Sequence, residues 1–182
     1  MTHDLNRYSR GAIAFHWIIA ALVLANYVLV NIAHDLERSA KAVYMDPHKA
    51  IGITILVLTV LRIIWRLTHK RPDVAHGVKP WEAMLAKTAH SLFYILLIAI
   101  PLTGWMMVSA YGSSGVDWFG IFEIPALPVE ESRDVGGQLH DIHEIIGKAM
   151  FVLIILHVLG ALKHQFFDKL PVLAKMGLGR NV

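Results

Sequence analysis

The stretch HEIIGKAMFVLIILH, residues 143–157, begins and ends in histidine and is otherwise apolar or glycine, apart from Glu144 and Lys148. Read as a helix, its steps of about 100° each bring His157 back to within roughly 40° of His143. The two imidazoles then share a face, about 21 Å apart along the axis. That is too far for one metal ion. It suits two separate sites stacked through the thickness of a membrane.

Three further apolar runs precede it. They are GAIAFHWIIAALVLANYVLVNIA (11–33), HKAIGITILVLTVLRIIWR (48–66) and AHSLFYILLIAIPLTGWMMVSA (89–110), and the fourth extends over 143–164. Each is near the roughly 20 residues that cross the hydrocarbon core as a helix. The second is the shortest, and Arg62 and Arg66 are expected to snorkel to the headgroups at its end. The first follows Arg7 and Arg10 but is too long for the apolar region of a signal peptide, so it reads as a span. Hydrophobic residues make up 55% and charged ones 17% of the 182, and mean hydropathy is +0.51. A soluble domain of this size seldom reads so apolar. The expected fold is all-α: one transmembrane domain over 1–182, built as an integral membrane four-helix bundle.

Cysteine is absent, which excludes disulfides, thiolate metal sites and covalent c-type haem. Basic residues set the orientation. Arg7 and Arg10 precede the first span. Arg66, Lys70, Arg71, Lys79 and Lys87 lie between the second and third, and Lys169, Lys175 and Arg180 follow the fourth. The other two connections hold few. The positive-inside rule then places the N- and C-termini in the cytoplasm. The longest connection, 111–142, is acidic and contains WFGIFEIPALP (118–128), which reads either as a structured outer cap or as an interfacial aromatic belt.

This topology sorts the histidines by depth. His48 and His143 fall at the outer level; His16, His157 and His90 fall at the inner level, with His164 at the very edge. An ionisable side chain in a span is costly and marks function more often than packing. Zinc wants three or four clustered ligands. Two histidines per level suit a metal that brings its own equatorial donors, namely haem iron held by two axial imidazoles. Bundles hold cofactors between facing helices in this way. Gly52 follows His48 by four residues, Gly147 follows His143 by four and Gly160 follows His157 by three. A flat macrocycle needs such a small residue beside its ligand, although glycine also serves close helix contact in membranes.

With these residues placed, the chain resembles the bacterial cytochrome b561 family, a group related to the membrane cytochrome b subunits of hydrogenases and formate dehydrogenases. The matching segments are RYSRGAIAFHW (7–17), HKAIGITILVLTVLRIIWR (48–66), AHSLFYILLIAIPLTGWMM (89–107), WFGIFEIP (118–125), LHDIHEIIGKA (139–149) and HVLGALKHQFFDK (157–169). The resemblance implies two non-covalent haem b groups with bis-histidine ligation. His48 and His143 would hold the outer iron, and His16 and His157 the inner one. Depth alone leaves the inner pair open among His16, His90, His157 and His164. Family members often carry a histidine pair where this chain has His164 and Gln165.

Several cations stand near the expected haems. Arg7, Arg10 and Arg66 are candidates for the inner propionates, against plain positive-inside anchoring. Lys49, Arg133 and His140 are candidates for the outer haem or an anionic substrate. His90 and His164 are spare, with propionate contact, proton relay or simple helix capping open to them; His3, His34, His69 and His76 receive no role. The expected function is electron transfer across a bacterial inner membrane, from a small outer-face donor such as superoxide to ubiquinone, as in superoxide:quinone oxidoreductases. Lipid and quinone are the expected partners, and nucleic acid is not. One alternative is a haem-bearing anchor passing electrons between quinone and a soluble dehydrogenase or hydrogenase. A non-redox alternative is a histidine-lined metal or proton transporter.

Overall fold

The computed structural model describes residues 7–69 and 77–178. His3, Lys70, Arg71, His76 and Arg180 of the sequence reading lie outside them. Four long helices dominate: α1 (Arg10–His34), α2 (Arg38–Thr68), α3 (Pro80–Ala110) and α4 (Arg133–Leu162). A π-helical turn, Lys163–Phe167, and a short helix α5, Val172–Lys175, follow α4. All four long helices are long and apolar enough to cross a membrane.

The helices start where local chemistry starts them. Ser9 caps α1 by accepting the Ala12 amide at 3.3 Å, and Ser132 caps α4 through the Val135 amide at 3.4 Å. Pro80 occupies the first turn of α3, and the Glu82 carboxylate accepts the Lys79 amide at 3.3 Å. Three helices begin well before their apolar runs, because hydropathy locates the membrane layer and not the helix end. α2 starts at Arg38 and runs through Pro47.

α1 packs along α2, α3 along α4, and α2 joins the two pairs through α3. α4 makes no comparable approach to α1 or α2. A cleft therefore separates α4 from the first two helices, and side chains cross it. The buried core is a layer with one residue from each long helix, Ile19, Ile55, Leu97 and Met150, surrounded by Val23, Leu58, Phe93 and Ile154.

The connection between α3 and α4 is a structured cap. Strands β1 (Gly115–Trp118) and β2 (Phe122–Pro125) pair antiparallel with Val116 opposite Ile124. The Trp118 indole donates to Thr54 Oγ1 on α2 at 3.0 Å, and the Trp105 indole to the Pro125 carbonyl at 3.1 Å, which fastens the hairpin over the bundle. Gly115 is required there, since a Cβ would run into the Ile124 carbonyl. At the other end the tail folds under α1. Arg7 donates to the Ala174 carbonyl at 3.1 Å and the Trp17 indole to that of Met176 at 2.9 Å.

Candidate cofactor-binding site

The cleft holds two pairs of facing histidines. His48 on α2 and His143 on α4 have ring centroids 6.1 Å apart, at the hairpin end. His16 on α1 and His157 on α4 lie 6.3 Å apart, at the tail end. All four are half-buried. Between the pairs sits the Ile19, Ile55, Leu97 and Met150 layer.

Hydrogen bonding orients the ring of His143. The Ile100 carbonyl, which can only accept, lies 2.9 Å from His143 Nδ1. Nδ1 therefore carries the proton, and the Nε2 lone pair is left for a metal. Thr103 Oγ1 adds a second contact to Nδ1 at 3.2 Å. Pro101, beside Ile100, removes the amide that would bond the Leu97 carbonyl in this turn of α3. Among the described residues His48 Nδ1 has no hydrogen-bond partner, and it is buried, an arrangement that is costly unless another ligand satisfies the ring. The Asn26 amide fixes the His48 carbonyl at 3.2 Å, and Tyr27 donates to the Gly147 carbonyl across the cleft.

The inner pair is arranged differently. Arg62 Nη2 donates to His16 Nδ1 at 3.2 Å. A guanidinium has no acceptor, so this contact leaves the proton of a neutral His16 on Nε2, and binding a metal through Nε2 would require that proton to move and Arg62 to release Nδ1. His157 makes aromatic contacts to Phe93 at 5.2 Å and to His90 at 5.6 Å. His90 is itself exposed, on the rim of the layer.

The glycines beside the ligands have room. A Cβ built on Gly52, Gly147 or Gly160 meets nothing within 4 Å. The orphaned His48 nitrogen, the free space at these glycines and the cleft along α4 all fit a flat, apolar group held between imidazoles. The sequence reading missed Gly104 on α3. A Cβ there would stand 3.0 Å from His143 Cε1, so this glycine admits the ring. It also misplaced Arg62, which turns inward to His16 and lies over the Tyr94 ring at 5.5 Å, with Arg66 over the same ring at 4.9 Å. The aromatic face and the histidine offer the cation closer partners than the headgroups do.

The remaining candidates scatter. Arg10 is exposed at the first position of α1, away from the pairs. Lys49 pairs with Asp46 at 2.6 Å, in a groove also lined by Asp117 and Glu123. Arg133 is exposed at the start of α4, and His140 is exposed with its ring 3.6 Å from Asp141. His164 is drawn into a separate cluster at the tail end. Among the described residues, Glu82, His164 and Asp168 alone come close enough to offer three protein ligands to one ion. Lys163 already bonds both carboxylates there, Glu82 at 2.6 Å and Asp168 at 2.7 Å.

A membrane helix bundle with histidines paired at two depths belongs to the class of membrane cytochromes. The family model described as prokaryotic cytochrome b561 matches residues 7–179, and the chain belongs to that family. Cytochrome b561 homolog 2 of Escherichia coli (strain K12) is 31% identical over 99% of this chain and 95% of its own. A probable superoxide oxidase, CybB, of Yersinia pestis is 28% identical over 93% and 95%. Cytochrome b562 of Cereibacter sphaeroides is 29% identical over 93% and 94%. The protein is accordingly a multi-pass electron-transfer protein of the bacterial inner membrane, and its family implies b-type haem.

Proposed function

We propose that the chain binds two b haems, one between His48 and His143 and one between His16 and His157, and moves electrons from the outer face to quinone. The observation that carries this reading is the pair of histidine layers separated by a buried apolar layer. The haems would supply one-electron redox chemistry; the chain's own part is to supply axial nitrogens and a low dielectric and to exclude water. An ion path would need polar groups through the middle. What that layer presents is Ile19, Ile55, Leu97 and Met150.

By the positive-inside rule the tail end is cytoplasmic and the hairpin covers the outer face. Superoxide is the proposed donor, leaving as dioxygen after giving up one electron. Reduction of ubiquinone takes two electrons and two protons, so two donor events serve one quinone. This choice draws on the superoxide oxidase relative. The outer groove adds nothing to it, because Asp46, Asp117 and Glu123 outnumber Lys49.

The test is haem quantitation on detergent-purified protein with a dithionite-reduced minus oxidised spectrum. Two haems per chain are expected. His48→Ala or His143→Ala should each remove one spectral component. His16→Ala should remove the other, while His90→Ala keeps both. A colourless protein from haem-sufficient cells would overturn the reading.

A further inference from the structure

The two histidine layers differ in fixed charge. The inner layer holds Arg62, bonded to His16 at 3.2 Å, with Arg66 against the same Tyr94 ring. Neither arginine has a carboxylate partner among the described residues. Both are permanent cations. In the outer layer Lys49 pairs with Asp46 at 2.6 Å, and Asp117 and Glu123 line the same groove. His143 there donates its Nδ1 proton to the Ile100 carbonyl, which strengthens the ring as an electron donor to a metal.

Reducing a ferric haem adds one negative charge to an environment of low dielectric. A fixed cation beside the ligand favours the reduced form; carboxylates and a more strongly donating axial imidazole favour the oxidised form. We infer that Arg62 sets the inner haem at a higher midpoint potential than the outer one, so that electrons run downhill from the outer face to the inner. The inference rests on the two-haem reading above. Arg62 is a positioning residue for charge. Its stem on α2 and the Tyr94 ring, 5.5 Å away, keep the guanidinium in the inner layer.

The experiment is an optical redox titration of the full-length purified protein, with His48→Ala used to assign the inner component. Two components are expected in the wild type, with the inner one higher. Arg62→Gln should lower the inner midpoint by a tenfold change in its reduction equilibrium, about 59 mV for one electron, and leave the outer one in place. Arg62→Lys should retain most of the wild-type value. An inner midpoint below the outer one overturns the inference, and so does an inner midpoint unmoved by Arg62→Gln at full haem content. Equal shifts in Gln and Lys variants would make the role one of shape and also overturn it. Should Arg62→Gln lose the inner haem, the wild-type order and Arg66→Gln decide: a smaller downward shift supports the inference, and no shift overturns it. Absence of haem from the wild type would instead sink the two-haem reading itself.

Discussion

Gly104 shows how much the outer layer depends on one missing carbon. The His143 ring packs close to where a Cβ on Gly104 would stand, 3.0 Å from Cε1 and 3.3 Å from Nδ1. Its Nδ1 must also reach the Ile100 carbonyl one turn away. Gly104→Ala should displace the ring, at a cost of about 1–3 kcal/mol as an overpacked site. The expected result is a weaker outer-haem band with the inner band intact, read in the reduced minus oxidised spectrum. A variant with both bands at wild-type strength would show that the ring has slack. Neighbouring Thr103 bonds its own helix carbonyls at 2.9 Å, so Thr103→Val should affect the outer haem less.

The elements at the two ends of the bundle answer to different forces. On the outer side, the hairpin is held by Trp118, whose indole bonds Thr54 and whose ring stacks on Phe122 at 5.0 Å. Trp118→Ala should cost about 1–3 kcal/mol, lower the melting temperature and raise water access to the outer haem, seen as faster bleaching by a soluble oxidant. On the inner side, the π-helical turn gathers Lys163, His164 and Asp168 against Glu82. The Lys163 ammonium, followed by His164, holds the Asp168 carboxyl below the usual carboxylate range. A carboxyl depressed on folding adds stability that is fully present above its unfolded pKa and is lost as pH falls through the folded value. Asp168→Asn should therefore melt earlier than wild type at neutral pH, and the gap should close in acid. A gap that persists in acid would assign the effect to packing.

The whole molecule is built for a lipid surround. Only 6% of the most apolar window of the fourth span and 22% of that of the second are buried within the chain. The outward faces carry side chains such as Leu24, Val57, Ile95 and Leu159, each more than half exposed. These faces await hydrocarbon, while the buried layer Ile19, Ile55, Leu97 and Met150 seals the interior. Because the chain has no cysteine, its orientation can be read with single thiols. Ile121→Cys in the hairpin is 70% exposed at its site, and Leu178→Cys in the tail is 46% exposed at its site. In intact cells whose outer membrane is permeable to the reagent, a membrane-impermeant maleimide should label the first and spare the second. The reverse pattern would invert the proposed topology and put the acidic groove in the cytoplasm.

Taken by itself, the sequence determined the number of spans and the level of each histidine along them. Those quantities follow from hydropathy and from helical rise, which are local. Depth singled out His48 and His143, and the structure brings their rings together. It left the inner level crowded, since a depth does not say which way a side chain turns. Tertiary structure brings the His16 ring to 6.3 Å from that of His157 across the cleft, and the ring of His90, an exposed residue of α3, to 5.6 Å. It decided that Arg62 turns inward, because Tyr94 comes from another helix and supplies the face that holds the cation. The same holds for Gly104 and for the β1–β2 hairpin. The partners of both, His143 and Thr54, stand far along the chain, and only packing of whole helices brings them within reach.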